Sequence, residues 1–352
     1  MQEAPVAAPR GTMGLTFARV DPVEHGEAIK QFFLAHERPE FPGFFDRAYR
    51  GPAGEGGGAT SWVGWDEHGT LRAHIALFPR RFLFERRVVR GALLANMLVA
   101  TGYRTFWPGL ALVRQMVKDT KDSGSVDFLY ADPNEPARAL AQATGFRYVG
   151  PMQRFVLPLR DPRHAVDLGI QAYNLFRRLR AGRPSLVVAE TRAVAAPDPP
   201  PLPTPTGAAG VLRPIRGLSL YHGRLAGYPG SSDWWFTFHT PGSPALPLGR
   251  ALVRWPDERG VAVLCALECE PVTLLGALLV ALGRRLRRAG AARLELSVMA
   301  HSQGAAAARR AGFVARDDRI PILARSFTEI GAAVVAAGAE WRLLPVDLDR
   351  GA

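Results

Sequence analysis

The sequence predicts an α/β (α+β) protein with two tandem domains, each a mixed, mostly antiparallel sheet flanked by helices. Three observations support this fold class. The chain has 352 residues, which is more than one ordinary core needs and suits two domains of about 150 residues each. One arrangement of strand, turn and helix occurs twice along the chain. A proline-rich stretch lies between the two copies.

The internal repeat joins residues 127–146 (DFLYADPNEPARALAQATGF) and residues 294–313 (LELSVMAHSQGAAAARRAGF). Each copy has an apolar strand, a turn, an alanine-rich helix and then the pair Gly-Phe. Each continues into a further apolar run, near Arg154 in the first half and near Ile322 in the second. Two copies of one fold are the economical explanation.

These features predict contiguous domains. Proline keeps residues 197–207 (PDPPPLPTPTG) out of a helix, so they form a semi-rigid linker. Residues 164–180 have the periodicity of an amphipathic helix, which either docks on a neighbouring domain or touches an anionic membrane surface weakly. The predicted segments are an N-terminal domain at 14–160, this connecting region at 161–210, a C-terminal domain at 211–330 and a tail at 331–352.

The elements of the first half follow from alternating apolar residues and from turn signals. A strand at 15–20 is followed by helix to about residue 49 and by a glycine-rich loop at 51–60. The turn Asp66-Glu67-His68-Gly69 joins the next two strands as a hairpin. The remaining predictions are strands at 61–65, 72–84, 88–101 and 126–130, helices at 109–121 and 135–144, and a last strand near Arg154.

The second half predicts a similar order with less distinct opening strands. The predicted elements are strands at 250–255, 261–269 and 293–299 and helices at 272–288 and 304–311. Cys265 and Cys269 are four residues apart on one face of a strand, about 13 Å from each other, too far for a disulfide without a bend. Free thiols suit a reducing cytoplasm.

Charge and hydropathy narrow the function classes. The net charge is +12, but the cations are almost all arginines in short groups, with lysine only at Lys30, Lys118 and Lys121. Without a basic tail or long cluster we expect no specific nucleic-acid binding, and an anionic small ligand or an acidic surface fits better. No segment has the roughly 18 apolar residues of a membrane span, and no secretory signal is recognisable at Met1. We therefore expect a cytoplasmic protein.

One run carries a predicted strand through a loop into a helix: Met97-Leu98-Val99-Ala100-Thr101-Gly102-Tyr103-Arg104-Thr105-Phe106-Trp107-Pro108-Gly109-Leu110. It resembles the Arg-x-x-Gly-x-Gly or Gln-x-x-Gly-x-Ala loop of the GNAT superfamily of acyl-CoA N-acyltransferases, whose element order is also similar. Arg104 and Gly109 match the pattern, whereas Trp107 stands at the first glycine and Pro108 follows it. A plain strand-to-helix connection is the alternative.

The resemblance implies a coenzyme A site. Amide groups at the start of the helix would hold the pyrophosphate, and the backbone of the preceding strand would pair with the pantetheine arm. Asn134, followed by Gly145-Phe146, is similar to a later motif whose asparagine faces the cofactor, although Asn134 could also cap a helix. The implied cofactor-binding residues are Met97, Leu98, Val99, Arg104, Trp107, Pro108, Gly109, Leu110 and Asn134.

The catalytic groups are less distinct. Ala141 stands where the family often has a tyrosine as general acid, so Tyr130 at the end of the fifth strand is the nearest replacement. Asp132 and His74 are the titratable groups available as a general base. Each also has a structural explanation: Tyr130 and His74 as core residues, and Asp132 as part of a turn before Pro133.

The second copy resembles a degenerate coenzyme A site. The loop after Cys269 has no arginine at the phosphate position, and His301 replaces the asparagine. Trp234 and Trp235 form either core or an aromatic wall for a sugar or acyl substrate. Glu268 and Glu270 share one strand face, where they either grip an amine or lie in solvent.

The resemblance implies an acyl-CoA-dependent N-acyltransferase, with acetyl as the first acyl group to expect. It would move an acyl group from acetyl-CoA or another acyl-CoA to an amine of a small molecule or sugar by direct attack, without a metal. Two alternatives remain. One is a FemAB-like aminoacyl transferase that uses aminoacyl-tRNA, and the other is a non-catalytic GNAT-like binding protein. The oligomeric state stays open.

Overall fold

A computed structural model describes residues 14–36, 38–49, 58–160, 186–192, 211–215, 232–242, 247–255 and 258–343. The predicted helix at 164–180, the linker at 197–207 and most of the glycine-rich loop lie outside these residues. The described residues form two compact units. Unit 1 takes those within 1–149, 212–224 and 321–338, and unit 2 takes those within 150–211, 225–320 and 339–352.

Unit 1 is a mixed sheet with helices on it. Its sheet order is β1-β2-β3-β4-β5 and then the end of β13 (Val314–Ser326), with β8 (Arg213–Ile215) added beside β3. Neighbouring strands are antiparallel except for β4 and β5, which are parallel. Its elements are β1 (Thr16–Val20), α1 (Gly26–Leu34), α2 (Phe41–Ala48), β2 (Thr60–Trp65), β3 (Leu71–Phe84), β4 (Arg87–Val99), α3 (Phe106–Ser123), β5 (Phe128–Ala131), α4 (Glu135–Ala143) and β8 (Arg213–Ile215).

Local sequence explains where α3 and α4 end. Gly124 follows α3 with a φ of 57°, and Gly145 follows α4 with a φ of 87°. Glycine adopts this left-handed conformation without the penalty that a Cβ carries, so it closes a helix. Apolar side chains on one face of α3, such as Leu112 and Met116, join a cluster of buried hydrophobic residues from the sheet of the unit.

Unit 2 has the same kind of sheet, in the order β6-β12-β11-β10-β9-β7. Only β11 and β12 are parallel. A 3₁₀ turn at Val272–Leu274 precedes α5. The elements are β6 (Arg147–Pro158), β7 (Val187–Arg192), β9 (Ser232–His239), β10 (Gly249–Trp255), β11 (Val261–Cys269), α5 (Leu275–Arg288), β12 (Arg293–Met299), α6 (Gln303–Ala311) and β13 (Val314–Ser326). The beginning of β6 and the end of β13 belong to unit 1, as does the helix α7 (Glu329–Ala336).

The two halves of the chain exchange strands. β5 pairs with Leu323–Ser326 of β13, which enters unit 1 at Pro321. β12 pairs with Met152–Pro158 of β6, within unit 2. The units therefore differ from the contiguous segments 14–160 and 211–330, because in each half the strand after Gly-Phe passes from its own unit into the other one. Sequence periodicity identifies such a strand but says nothing of its neighbour.

The expected tail at 331–352 also contributes structure. Helix α7 packs on β5 in unit 1, and its Gly331 lies against the backbone of Asp127. In unit 2 the side chain of Trp341 is fully buried. Strand β7 falls in the region 161–210, for which only a helix and a linker were predicted. Among the residues that the structure describes, no helix combines the length and apolarity needed to cross a membrane.

Candidate functional site

The strands β4 and β5 of unit 1 pair over only three residues. Gly91–Leu93 of β4 lie beside Phe128–Tyr130 of β5. Beyond Leu93, β4 continues to Val99 and pairs with β3 alone in the described part of the chain. A register shift opposite His74–Ala76 interrupts that pairing, and Asn96 there has a φ of 54°. Such a bulge bends a strand, so one edge of β4 is left open.

Buried hydrogen bonds hold this bulge. His74 Nδ1 lies 2.9 Å from the carbonyl oxygen of Asn96, and His74 Nε2 lies 3.1 Å from Ser61 Oγ. Asn96 Nδ2 donates to the Tyr49 hydroxyl at 3.0 Å. Since the Asn96 carbonyl can only accept, Nδ1 carries the proton and the Ser61 hydroxyl donates to Nε2. The network connects β2, β3, β4 and the residue that ends α2.

The environment of His74 keeps its ring neutral. Its side chain is completely buried, with the Phe33 ring edge-on at 5.3 Å. Burial lowers the pKa of His74 from 6.5 to about 4, against a smaller opposing effect of the Asn96 carbonyl. A base with so low a pKa accepts a proton weakly at neutral pH. The geometry therefore makes His74 a support of the bulge.

The loop after β4 brings Arg104 back to the strand. Ala100 donates its amide to Arg72 on β3 at 2.8 Å, so Val99 directs its carbonyl to the opposite edge. There Arg104 Nε donates to Val99 O at 3.0 Å. The side chain of Arg104 is otherwise exposed. Its remaining guanidinium donors are thus held near the start of α3.

Helix α3 begins at Phe106 with its first turn exposed. Trp107 is 60% exposed and Phe106 47%, whereas Pro108, Gly109 and Leu110 are buried. A Cβ on Gly109 would lie 2.9 Å from Leu140 Cδ1 and 3.1 Å from Met97 Cε. Glycine thus lets α3 approach α4 and β4. The Thr105 side chain makes no capping hydrogen bond to the helix. The amides of the first turn are therefore not occupied by a side-chain cap from this residue.

The groups predicted around β5 take different positions. Asn134 caps α4, with Oδ1 accepting from the Ala137 amide at 3.1 Å. Tyr130 is fully buried beside Phe82, where β5 is paired on both edges. Asp132 follows β5 and is partly buried. Tyr130 thus lies at the level of Leu93, where β4 and β5 separate.

The residues predicted in unit 2 are engaged in its sheet. Trp235 is buried on β9 and Trp234 partly buried. Glu268 is in a salt bridge with Arg250, 2.6 Å between Oε2 and Nε. Glu270 follows β11, and its amide donates to Leu248 O at 2.9 Å.

The two cysteines of unit 2 remain protonated thiols. Burial raises the pKa of Cys265 to about 11 and that of Cys269 to about 12. Thiols with a raised pKa are poor nucleophiles. Among the described residues no three His, Cys, Asp or Glu side chains are grouped to hold a metal ion.

Sequence reasoning missed the partners of His74. Ser61 and Tyr49 are buried among apolar residues, and no sequence motif distinguishes a hydroxyl that will bind a histidine from one that will not. Asn96 offered a signal, because asparagine tolerates positive φ and is out of place in the apolar strand RVVRGALLANMLV. It could have marked the bulge.

Comparisons with known proteins identify the fold. No family model matches the sequence, and no curated protein does. Among solved structures, a probable N-acyltransferase from Enterococcus faecalis V583 matches with a TM-score of 0.60 at 11% identity, over 89% of this chain and 72% of that one. A GCN5-related N-acetyltransferase from Anabaena variabilis ATCC 29413 matches with a TM-score of 0.57 at 11% identity, over 90% and 74%.

A third structure, a tandem GNAT protein from the clavulanic acid biosynthesis pathway, matches with a TM-score of 0.51 at 14% identity, over 89% of this chain and 99% of that one. At these identities the likeness concerns the fold. The prediction of a GNAT-type α/β fold is confirmed.

Proposed function

Starting from the GNAT fold of the chain, we propose that unit 1 binds acyl-CoA, with acetyl-CoA first, and transfers the acyl group to an amine of a small molecule or sugar. The observation that carries the proposal is the open edge of β4 beyond Leu93, which leads directly to the exposed first turn of α3. An extended arm with amide groups can pair with such an edge. The reaction would take place in the cytoplasm, where acyl-CoA is available.

The residues of the loop suit a pyrophosphate. The amides of Phe106 and Trp107 begin α3, and the helix dipole favours an anion there by about 0.3–1 kcal/mol. Pro108 has no amide hydrogen, so fewer donors are present than in a loop with glycines. Arg104, held by Val99 O through Nε, still has its Nη groups to donate to phosphate oxygens.

The edge of β4 suits the pantetheine arm. The Ala100 amide donates to Arg72 O, and because peptide groups alternate along an antiparallel pair, those of Leu98, aligned with His74, also face β3. The carbonyl of Met97 precedes the Leu98 amide and therefore points to the opposite edge, the edge on which Arg104 occupies the Val99 carbonyl. We assign the pairing with pantetheine mainly to Met97, with Asn134 at the start of α4 on the far side of the opening.

A thioester supplies an activated carbonyl carbon. The amine nitrogen attacks it, the C–N bond forms, the C–S bond breaks, the amine loses one proton and the thiolate gains one. The protein holds the reactants together and polarises the carbonyl through strand amides. His74 is buried and neutral, so the proposal assigns the role of general base to Asp132, which is partly buried just beyond β5.

Replacement of Arg104 tests the proposed cofactor loop. We expect calorimetric titration with acetyl-CoA to show saturable binding to the whole chain and Arg104→Ala to weaken it about tenfold, because a charge-assisted hydrogen bond to phosphate is lost. Arg86→Ala is the control, since Arg86 is exposed on the turn between β3 and β4. Absence of acetyl-CoA binding to the unaltered chain would contradict the proposal.

A second candidate is a protein that binds acyl-CoA without catalysis. The burial of Tyr130 on a strand paired on both edges favours it, because no leaving thiolate reaches a hydroxyl enclosed in this way. We expect Tyr130→Phe to leave both acetyl-CoA binding and any acyl transfer within about twofold. A loss of transfer by tenfold or more with unchanged binding would return Tyr130 to the role of general acid.

Salt-sensitive binding of aminoacyl-tRNA without acetyl-CoA binding would select the FemAB-like alternative.

A further inference from the structure

Unit 1 has a second concave site, between the C-terminal half of α3 and the end of α4. Its volume is about 460 Å³, within the range of pockets that take small ligands. The lining residues are Arg114, Val117, Lys118, Lys121, Asp122, Ala143, Thr144, Gly145 and Arg325. We call it the basic pocket.

The basic pocket is separate from the loop at the start of α3. Lys118 is twelve residues after Phe106 on the same helix, which is about 18 Å along the axis at 1.5 Å per residue. Arg325 comes from β13, whose end joins the sheet of unit 1 beside β5. A ligand in the basic pocket is therefore distinct from the pyrophosphate proposed for the loop.

Positive charge dominates the basic pocket. Four cations and one carboxylate line it. Arg114, Lys118 and Lys121 are exposed on one face of α3, and among the described residues no carboxylate is in ion-pair contact with any of the three. The chain has only three lysines among its many arginines, and two of the three line this pocket. Cations in the last turn of a helix stabilise its dipole, but Arg114 lies more than two turns before the end.

Arg325 supplies the most enclosed of these charges. Its Nη1 donates to the carbonyl oxygen of Thr144 and its guanidinium lies 5.7 Å from the centre of the Phe327 ring. Burial lowers the pKa of Arg325, which means that its charge lacks part of its usual solvation. Gly145, with a φ of 87°, comes so close that a Cβ would lie 3.1 Å from Nη1. The guanidinium is thus held by the end of α4, and an anion beside it would replace the missing solvation.

We propose that the basic pocket binds a small soluble anion with several negative charges, of the phosphate ester or pyrophosphate class. One cavity is lined by the flexible ammonium groups of Lys118 and Lys121 and by the more rigid guanidinium groups of Arg114 and Arg325. These groups can donate charge-assisted hydrogen bonds to several phosphate oxygens. The open concave site admits a compact ligand, whereas a membrane surface contacts a flat or convex patch. The site stands independently of the proposed acyl transfer.

Inorganic pyrophosphate is the probe. Titration calorimetry of the whole chain at constant ionic strength is expected to show saturable binding below about 1 mM. Lys118→Gln combined with Lys121→Gln is expected to weaken this binding at least tenfold. Arg86→Gln combined with Arg87→Gln removes the same charge from the exposed end of the β3–β4 hairpin, where Arg86 lies in the turn and Arg87 begins β4, and is expected to change the binding by less than twofold. Arg104→Ala is titrated in parallel, because pyrophosphate can also bind the cofactor loop: binding that persists in this variant and is lost in the lysine variant comes from the basic pocket.

Several results would overturn the proposal. They are the absence of saturable pyrophosphate binding, an equal loss in both double variants, or loss in Arg104→Ala with retention in the lysine variant. A fourth is co-sedimentation with phosphatidylcholine–phosphatidylserine vesicles that depends on Lys118 and Lys121 without binding of pyrophosphate, which would assign the charge to a lipid surface. Circular dichroism shows whether each variant keeps its fold.

Discussion

Replacement of Gly331 by alanine is expected to lower the free energy of unfolding of unit 1 by about 3 kcal/mol. Gly331 is the third residue of α7, where α7 meets β5. A Cβ there would lie 2.0 Å from the carbonyl oxygen of Asp127 and 2.8 Å from its carbonyl carbon. These are backbone atoms, which no side-chain rotation can move. Because alanine otherwise favours a helix by about 1 kcal/mol, a loss of stability would reflect this contact.

The structure around Asp127 makes relief difficult. Its carbonyl accepts from the Phe327 amide at 2.9 Å, and its carboxylate accepts from the Arg90 amide at 2.8 Å. Thr328 caps α7 through the Gly331 amide and also donates to Asp127 Oδ1 at 3.4 Å. To move α7 outward, the protein would have to lengthen the hydrogen bonds that Phe327 and Thr328 make to Asp127.

Hydrogen exchange and thermal unfolding test this prediction. We expect faster amide exchange in peptides that cover β5 and little change in those that cover β9 and β10 of unit 2. The matched control is Gly276→Ala in α5, where a Cβ would meet only Ala307 O at 3.8 Å. That variant is expected to be neutral or slightly more stable. If Gly331→Ala unfolds at the temperature of Gly276→Ala, the close approach of α7 and β5 is wrong.

Acid is expected to destabilise unit 1 through His74 by about 3 kcal/mol. The pKa of His74 is about 4 in the folded protein, below its ordinary 6.5. As the pH falls below 6.5, the unfolded chain binds a proton that the folded chain still excludes, so unfolding becomes more favourable. The loss accumulates between pH 6.5 and 4 and is complete below pH 4, where both states are protonated.

His74→Asn isolates this contribution from that of the carboxylates. Asparagine can donate to the Asn96 carbonyl from about the position of Nδ1, but it does not titrate. We expect the variant to be less stable than the parent at pH 7, because Ser61 Oγ loses its partner. Its free energy of unfolding, from denaturant titrations, should fall less steeply between pH 6.5 and 4. Parallel curves displaced by a constant amount would mean that His74 does not titrate in this way.

Much of the fold was predictable from local sequence. The helix from Phe106 to Ser123 and the strands of the hairpin around Asp66 have strong periodicity and clear turn signals. The Asn134 cap of α4 was one of two open interpretations, and the structure shows the capping hydrogen bond. The coenzyme A role of Asn134 stays a prediction, as do the roles of Arg104 and Asp132.

The candidate site was less predictable, because its shape depends on the stretch of β4 that does not pair with β5. The loop from Met97 to Leu110 was recognisable as a strand-to-helix connection. β4 separates from β5 after Leu93, just before the bulge at Asn96, and the residue hydrogen-bonded to that bulge, His74, is 22 residues away along the chain. In the same way, Lys118 and Lys121 were visible in the sequence, but Arg325, on β13, joins them only in the folded protein.

The sequence by itself determined the kind of protein: two α/β repeats, the order of their elements, and a loop that resembles an acyl-CoA site. Those features depend on side-chain periodicity, caps and turns, which act over a few residues. Tertiary structure decided which strands are neighbours, so that β13 completes the sheet of unit 1 and β6 pairs with β12 in unit 2. It also buried His74 and enclosed Arg325. An apolar strand accepts either sheet as a partner, and only packing over the whole chain selects one.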